Sequence, residues 1–157
     1  MSNQSIVIKR SIFNTLEARL ADQTYFIQVL LGPRQVGKTT GIQQICKQYA
    51  YDFHYVSADA PALKATNWIE QQWQIARLKS KSNPQFLLVI DEIQKIKHWS
   101  EIVKRLYDED KIEGIQFKTV LLGSSQTILS GGVTESLAGR CEVLLVPHWS
   151  FEEIQSV

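Results

Sequence analysis

The sequence predicts an α/β fold, a five-stranded parallel sheet with helices on both faces. Three observations carry this expectation. Five short runs of β-forming apolar residues alternate along the 157 residues with segments whose apolar positions recur at helical spacing, as parallel strands joined by right-handed crossovers require. The third run, Phe86 to Ile90, is apolar at every position, the mark of a strand covered on both faces. The first run passes directly into a glycine-containing segment, Gly32 to Thr39, that opens a helix. The length suits one domain with a real core and is short for two.

Each element follows from its own pattern. Ile12, Phe13, Leu16 and Leu20 stand at helical spacing and predict an amphipathic opening helix that must lie against something larger. Tyr25 to Leu31 reads as the first strand. Ile42, Ile45, Cys46 and Tyr49, at i, i+3, i+4 and i+7, define one buried face of the helix that follows, and Phe53 to Ser57 reads as the second strand. Asp59-Ala60-Pro61 can stop that strand and begin a helix, because Asp caps and Pro tolerates the first turn. Ile69, Trp73 and Ala76 give this helix its inner face. A polar loop from Lys79 to Gln85 leads into Phe86 to Ile90, ended by Asp91 and Glu92. Trp99, Ile102, Val103, Leu106 and Tyr107 line the next helix, broken at Glu113-Gly114 before a strand from Phe117 to Leu122. A polar stretch from Gln126 to Arg140 precedes the fifth strand, Glu142 to Val146.

Composition narrows the function classes. Hydrophobic residues are 44% and charged residues 21%, ordinary values for a folded domain and unlike disordered or collagen-like chains. Seventeen basic against sixteen acidic residues leave +1, so no bulk field draws the chain to nucleic acid or to an anionic membrane. No apolar stretch approaches the ~20 residues of a membrane span, and the charged opening residues are unlike a secretory signal, so a cytoplasmic setting without membrane contact is expected. Cys46 and Cys141 read as reduced thiols, and His54, His98 and His148 show no zinc-ligand spacing. The basic residues Arg77, Lys79, Lys81, Lys95, Lys97, Lys104 and Arg105 read as solvated helix faces rather than as a track for a phosphate backbone.

The chemistry is concentrated in three places. Gly32-Pro33-Arg34-Gln35-Val36-Gly37-Lys38-Thr39 matches G-x-x-x-x-G-K-[ST] in full, between a strand and a helix, the context that gives the motif its meaning. Glycine lets the backbone bend around a phosphate, and amides from about Gln35 to Thr40 gather at the helix N-terminus. Lys38 would then reach the outer phosphates and the Thr39 hydroxyl would ligate Mg²⁺. Asp91, at the end of an apolar strand, is positioned for the Mg²⁺ shell, and Glu92 for polarising a water. Gly123-Ser124-Ser125-Gln126 ends the fourth strand on the same sheet edge, where Ser124, Ser125 or the Gln126 amide could sense a terminal phosphate; ordinary turn formation explains those residue types as well. Arg140, read alone, is a surface ion-pair residue.

Taken together, four segments resemble the AAA-type P-loop ATPases of bacteria and archaea, particularly a prokaryotic family with a GPRQVGKTT loop, a DEIQ acidic motif, a GSS sensor and an SLAGR segment. They stand at Gly32 to Thr40, Asp91 to Gln94, Gly123 to Ser125 and Ser136 to Arg140, and the likeness runs from the region of Arg10 to Glu153. The resemblance implies a P-loop NTPase core of AAA type over residues 1–157, with ATP and Mg²⁺ as ligands and hydrolysis to ADP and phosphate as the reaction. It also implies a sensor at Ser124 or Ser125, and an Arg140 that reaches a neighbouring subunit's nucleotide, hence a homo-oligomer. Two departures stand out. Gly41 occupies the first turn after the phosphate loop, where an apolar helix former is usual and Gly costs up to ~1 kcal/mol. Relatives continue into a helical lid or C-terminal domain, so the core is expected to be a truncated one. The alternative function is a nucleotide-dependent switch that binds ATP or ADP with little turnover; DNA or protein partners stay open, and no acceptor site of a kinase is recognisable.

Overall fold

The computed structural model describes residues 10–59, 67–125 and 133–155. All five predicted strands form, with ends moved by up to two residues: β1 (Ile27–Gly32), β2 (Phe53–Ser57), β3 (Leu87–Asp91), β4 (Lys118–Ser124) and β5 (Cys141–Leu145). They make one sheet in the order β2-β3-β4-β1-β5, and every neighbouring pair is parallel. β4 therefore stands between β1, which leads into the phosphate loop, and β3, which ends in Asp91. The register pairs Gly32 with Ser124 and Ser57 with Asp91, so the ends of four strands line one edge.

Helices cover both faces. On one, α1 (Ser11–Ala21) and α2 (Lys38–Gln48) bury Phe13, Leu16, Leu20, Ile42, Ile45 and Cys46 against Leu30, Leu87, Val89, Val120 and Leu122 of the sheet. On the other, α3 (Trp68–Ser80) and α4 (Trp99–Glu113) bury Ile69, Trp73, Ala76, Val103 and Leu106 against Val29, Leu31, Leu88, Ile90 and Leu121. Alternate residues of each central strand serve opposite faces, which is why β1, β3 and β4 are buried throughout. Short helices α5 (Val133–Ser136) and α6 (Phe151–Gln155) flank β5. The start expected for the next helix at Asp59-Ala60-Pro61 leads into residues 60–66, outside the described set; α3 begins at Trp68 behind Asn67 and carries the expected inner face of Ile69, Trp73 and Ala76. Gly114 closes α4 in a left-handed conformation, φ +69°, as the Glu113-Gly114 break predicts.

Polar ties link the helices beneath the core. The Asp110 carboxylate on α4 accepts hydrogen bonds from Trp73 Nε1 (2.7 Å) and Arg77 Nε (2.6 Å) on α3, and burial pushes its pKa above the ordinary value against those bonds. Arg77, read from sequence as a solvated basic residue, is instead largely buried and engaged with Glu109 and Asp110, while Arg105 stays exposed and pairs with Glu109 and Glu70. Cys46 and Cys141 are free thiols, and burial raises the Cys46 pKa to about 11. Among the described residues no helix is long and apolar enough to cross a membrane.

The structure also corrects the expectation for Gly41. Gly41 is not a defect of α2, because a Cβ there would stand 2.0 Å from Cζ of Phe13. The aromatic ring of α1 occupies the space a side chain would need, and the missing Cβ seats α1 on the first turn after the phosphate loop.

Candidate nucleotide-binding site

Parallel α/β sheets offer ligands the carboxyl ends of their strands, and the motifs converge there. Gly32 ends β1 so close to the chain after β5 that a Cβ would lie 2.2 Å from the Val146 carbonyl oxygen. From Gly32 the loop runs to α2 through two left-handed residues, Gln35 at φ +60° and Gly37 at φ +91°. Such alternation turns successive N–H groups toward a common centre, and the N-terminus of α2 adds the free amides of its first turn. Lys38 is buried and donates from Nζ to the carbonyls of Gly32 (2.8 Å) and Pro33 (2.6 Å). Burial lowers its pKa from the ordinary value, while Glu92 and then Asp91 oppose that shift.

Asp91 lies across from this loop. Thr39 Oγ1 donates to its Oδ2 at 2.7 Å, and Glu92 N donates to its Oδ1 at 2.8 Å. The carboxylate is buried. Glu92 adopts φ +55°, an uncommon conformation for a residue with a side chain, and Gln94 Nε2 holds its carboxylate at 2.6 Å. Ser124 is buried beside Gly32 at the end of β4, with Ser125 next in the chain; Gln126 lies outside the described residues. A hollow of about 320 Å³ is lined by Arg34, Gln35, Gly37, Lys38, Thr39, Thr40 and Glu92. Asp59 and Lys95, read from sequence as a helix cap and a solvated basic residue, border it and form an ion pair.

Arg140 is placed elsewhere. Its carbonyl accepts from Ile27 N at the start of β1, so about 16 Å of strand separates it from the loop at Gly32. Its guanidinium grips Asp108 of α4 through Nε (2.7 Å) and Nη2 (2.9 Å) and holds that carboxyl below its ordinary pKa. Within one chain, then, Arg140 does not join Lys38 and Glu92.

Two residues at the site escaped the sequence reading. Arg10, buried at the head of α1, donates to Val36 O in the loop (2.9 Å), to Pro147 O (2.9 Å) and to both carboxylate oxygens of Glu153 (3.1 Å each), with its guanidinium 4.8 Å from the Trp149 ring centre. It ties the phosphate loop to α1 and to the chain after β5. Tyr55, from the middle of β2, donates to Asp91 Oδ2 at 2.6 Å. A lone arginine before a helix and a tyrosine inside a strand carry no local pattern that marks such partners.

The donor set fits Mg²⁺. Thr39 Oγ1 and Asp91 Oδ2 are hard oxygen donors of the kind this ion takes beside water and phosphate oxygens. Among the described residues no group of three or more His, Cys, Asp or Glu could hold a metal, and an ion bound mainly through phosphate and water needs none.

A family model described as "AAA domain" matches residues 24–155. The chain belongs to this family. Its class of function is therefore nucleotide binding of the ATPase type, and the Gly32–Thr40 loop lies inside the matched region. The AAA domain is 31% identical over 145 residues to the uncharacterized protein MJ1544 of Methanocaldococcus jannaschii, covering 89% of this chain and 30% of that protein. Its fold is similar to that of RuvB from Thermotoga maritima: one variant superposes with a TM-score of 0.60 at 22% identity, over 95% of this chain and 47% of the other. A second RuvB variant gives 0.60 at 21% identity, over 92% and 45%. The chain thus spans less than half the length of the proteins it matches.

Proposed function

We propose that this AAA domain binds ATP with Mg²⁺ and hydrolyses it to ADP and phosphate. The observation that carries the reading is the 2.7 Å bond between Thr39 and Asp91, which joins the phosphate loop to the acidic strand although β4 separates their strands. In this reading the loop amides and Lys38 bind the phosphates, and Lys38 supplies a charge-assisted donor to the outer ones. Thr39 and Asp91 hold Mg²⁺, which when bound would offset phosphate charge. Glu92 orients a water and accepts its proton, with Gln94 fixing the carboxylate. Ser124 or Ser125, at the end of the neighbouring strand, reads the terminal phosphate.

Arg140 completes the site only from a second copy, because its own loop is out of reach. An arginine finger contributes about 10³ to 10⁵ in rate, so an isolated domain should turn over near the ~10⁻⁴ to 10⁻² s⁻¹ of unassisted P-loop enzymes. The test is calorimetry with ATP in the presence and absence of Mg²⁺, joined to phosphate release across a range of protein concentrations. Turnover per chain that rises with concentration supports the assembled hydrolase. Binding with no turnover at any concentration would leave a nucleotide switch, and no binding would remove both readings.

A further inference from the structure

Asp91 is held by more than the two motifs that define the site. Its Oδ2 accepts two hydrogen bonds, from Thr39 Oγ1 at 2.7 Å and from Tyr55 Oη at 2.6 Å, while Oδ1 accepts from Glu92 N at 2.8 Å. Tyr55 belongs to β2, the strand beyond β3 at the sheet edge. The register places it opposite Val89, two residues before the Ser57–Asp91 pair, so the length of a tyrosine is needed to bring a hydroxyl to the strand end. Its ring packs against the core beneath α1 and α2. The Gln43 side chain of α2 lies near the same phenol. The phenol therefore sits between the helix after the phosphate loop and the carboxylate of the acidic strand.

We propose that Tyr55 is a positioning residue for the metal centre, aiming the Asp91 carboxylate at Thr39 and thereby setting the affinity for the Mg²⁺ that accompanies nucleotide. The inference rests on the reading of Thr39 and Asp91 as the Mg²⁺ residues. Three donors converge on one carboxylate, so its orientation is fixed before any ligand arrives. Groups that orient a metal-binding carboxylate in this way change metal affinity by about 10- to 100-fold when removed.

The experiment uses the full chain and reads binding rather than activity. ATP affinity is measured by calorimetry in EDTA and across a Mg²⁺ series for the parent, Tyr55→Phe and Gln43→Leu. Tyr55→Phe keeps the ring and deletes the hydroxyl, so its EDTA affinity should stay within about twofold of the parent, while the Mg²⁺ concentration for half-maximal tightening rises by about 10- to 100-fold. Gln43→Leu, on an exposed position, should move the same half-point in the same direction by less, and it carries the test if Tyr55→Phe fails to fold. An unchanged Mg²⁺ half-point in the folded variants overturns the inference, and so does an equal loss of affinity in EDTA and in Mg²⁺, which marks a structural role. A parent whose ATP affinity ignores Mg²⁺ overturns the underlying reading and the inference with it; a Mg²⁺-dependent parent with an indifferent Tyr55→Phe overturns the inference alone.

Discussion

Gly41 and Phe13 interlock: a Cβ on Gly41 would fall between 2.0 and 2.4 Å from three carbons of the Phe13 ring. The contact joins α1 to the first turn of α2, directly behind Lys38 and Thr39. Gly41→Ala would gain up to ~1 kcal/mol of helix propensity and incur overpacking, which costs about 1–3 kcal/mol and here involves a rigid, buried ring. Denaturant unfolding should therefore show a net loss of stability. Combining Gly41→Ala with Phe13→Leu should recover part of it, since residues in contact do not add. A more stable single variant would mean that the ring moves aside at little cost.

Lys38→Ala removes a charge-assisted donor worth about 1.5–3 kcal/mol, so ATP affinity should fall roughly 10- to 100-fold, read by calorimetry. Glu92→Gln should bind ATP as the parent does and release phosphate about 10² to 10⁴ times more slowly. A Glu92→Gln protein as fast as the parent excludes Glu92 as the base.

Gln94 holds Glu92 through a single 2.6 Å bond. Removing it in Gln94→Ala should lower kcat by roughly tenfold, the value of a hydrogen bond to a charged group, and leave ATP binding unchanged. Equal effects on kcat and on affinity would show a general disturbance of the loop instead.

Glu153 provides the pH test. Its bonds from Arg10, together with the Ser150 backbone amide, depress its folded pKa below the ordinary carboxylate value of about 4.3. A depressed carboxylate contributes stability above its unfolded pKa and loses it as pH falls through the folded pKa. Glu153→Gln should thus lower Tm near neutral pH, and the gap to the parent should close in acid. A gap that persisted unchanged at low pH would mean that the bond is not ionic.

Arg140 can be tested by mixing. Arg140→Ala and Lys38→Ala chains should each be nearly inactive alone, but a mixed assembly holds sites with an intact loop on one copy and an intact arginine on the next. Phosphate release above the sum of the separate samples is expected. Strict additivity would leave Arg140 with its structural partner Asp108 as its sole role.

Much of this was legible in the chain. The strand and helix segments followed from periodicity, because each needs only a local pattern of apolar residues to bury one face. The Gly32–Thr39 loop and the Asp91-Glu92 strand end were legible as motifs for the same reason: each is a run of consecutive residues. The strand ends shifted by up to two residues because edge hydrogen bonds, not side-chain pattern, decide where pairing stops. Arg10, Tyr55 and the Gly41–Phe13 contact were not legible, since each acquires its meaning from a residue 26 or more positions away.

The sequence by itself determined the elements, their alternation and the phosphate-loop and acidic motifs, because propensity, periodicity and motif act over a few neighbouring residues. Only the tertiary structure decided that β4 separates the loop strand from the acidic strand, that Tyr55 and Thr39 share one oxygen of Asp91, and that Arg140 faces Asp108 on the far edge of the sheet. Those relationships depend on strand order and register, which long-range packing selects and no local stretch of chain encodes.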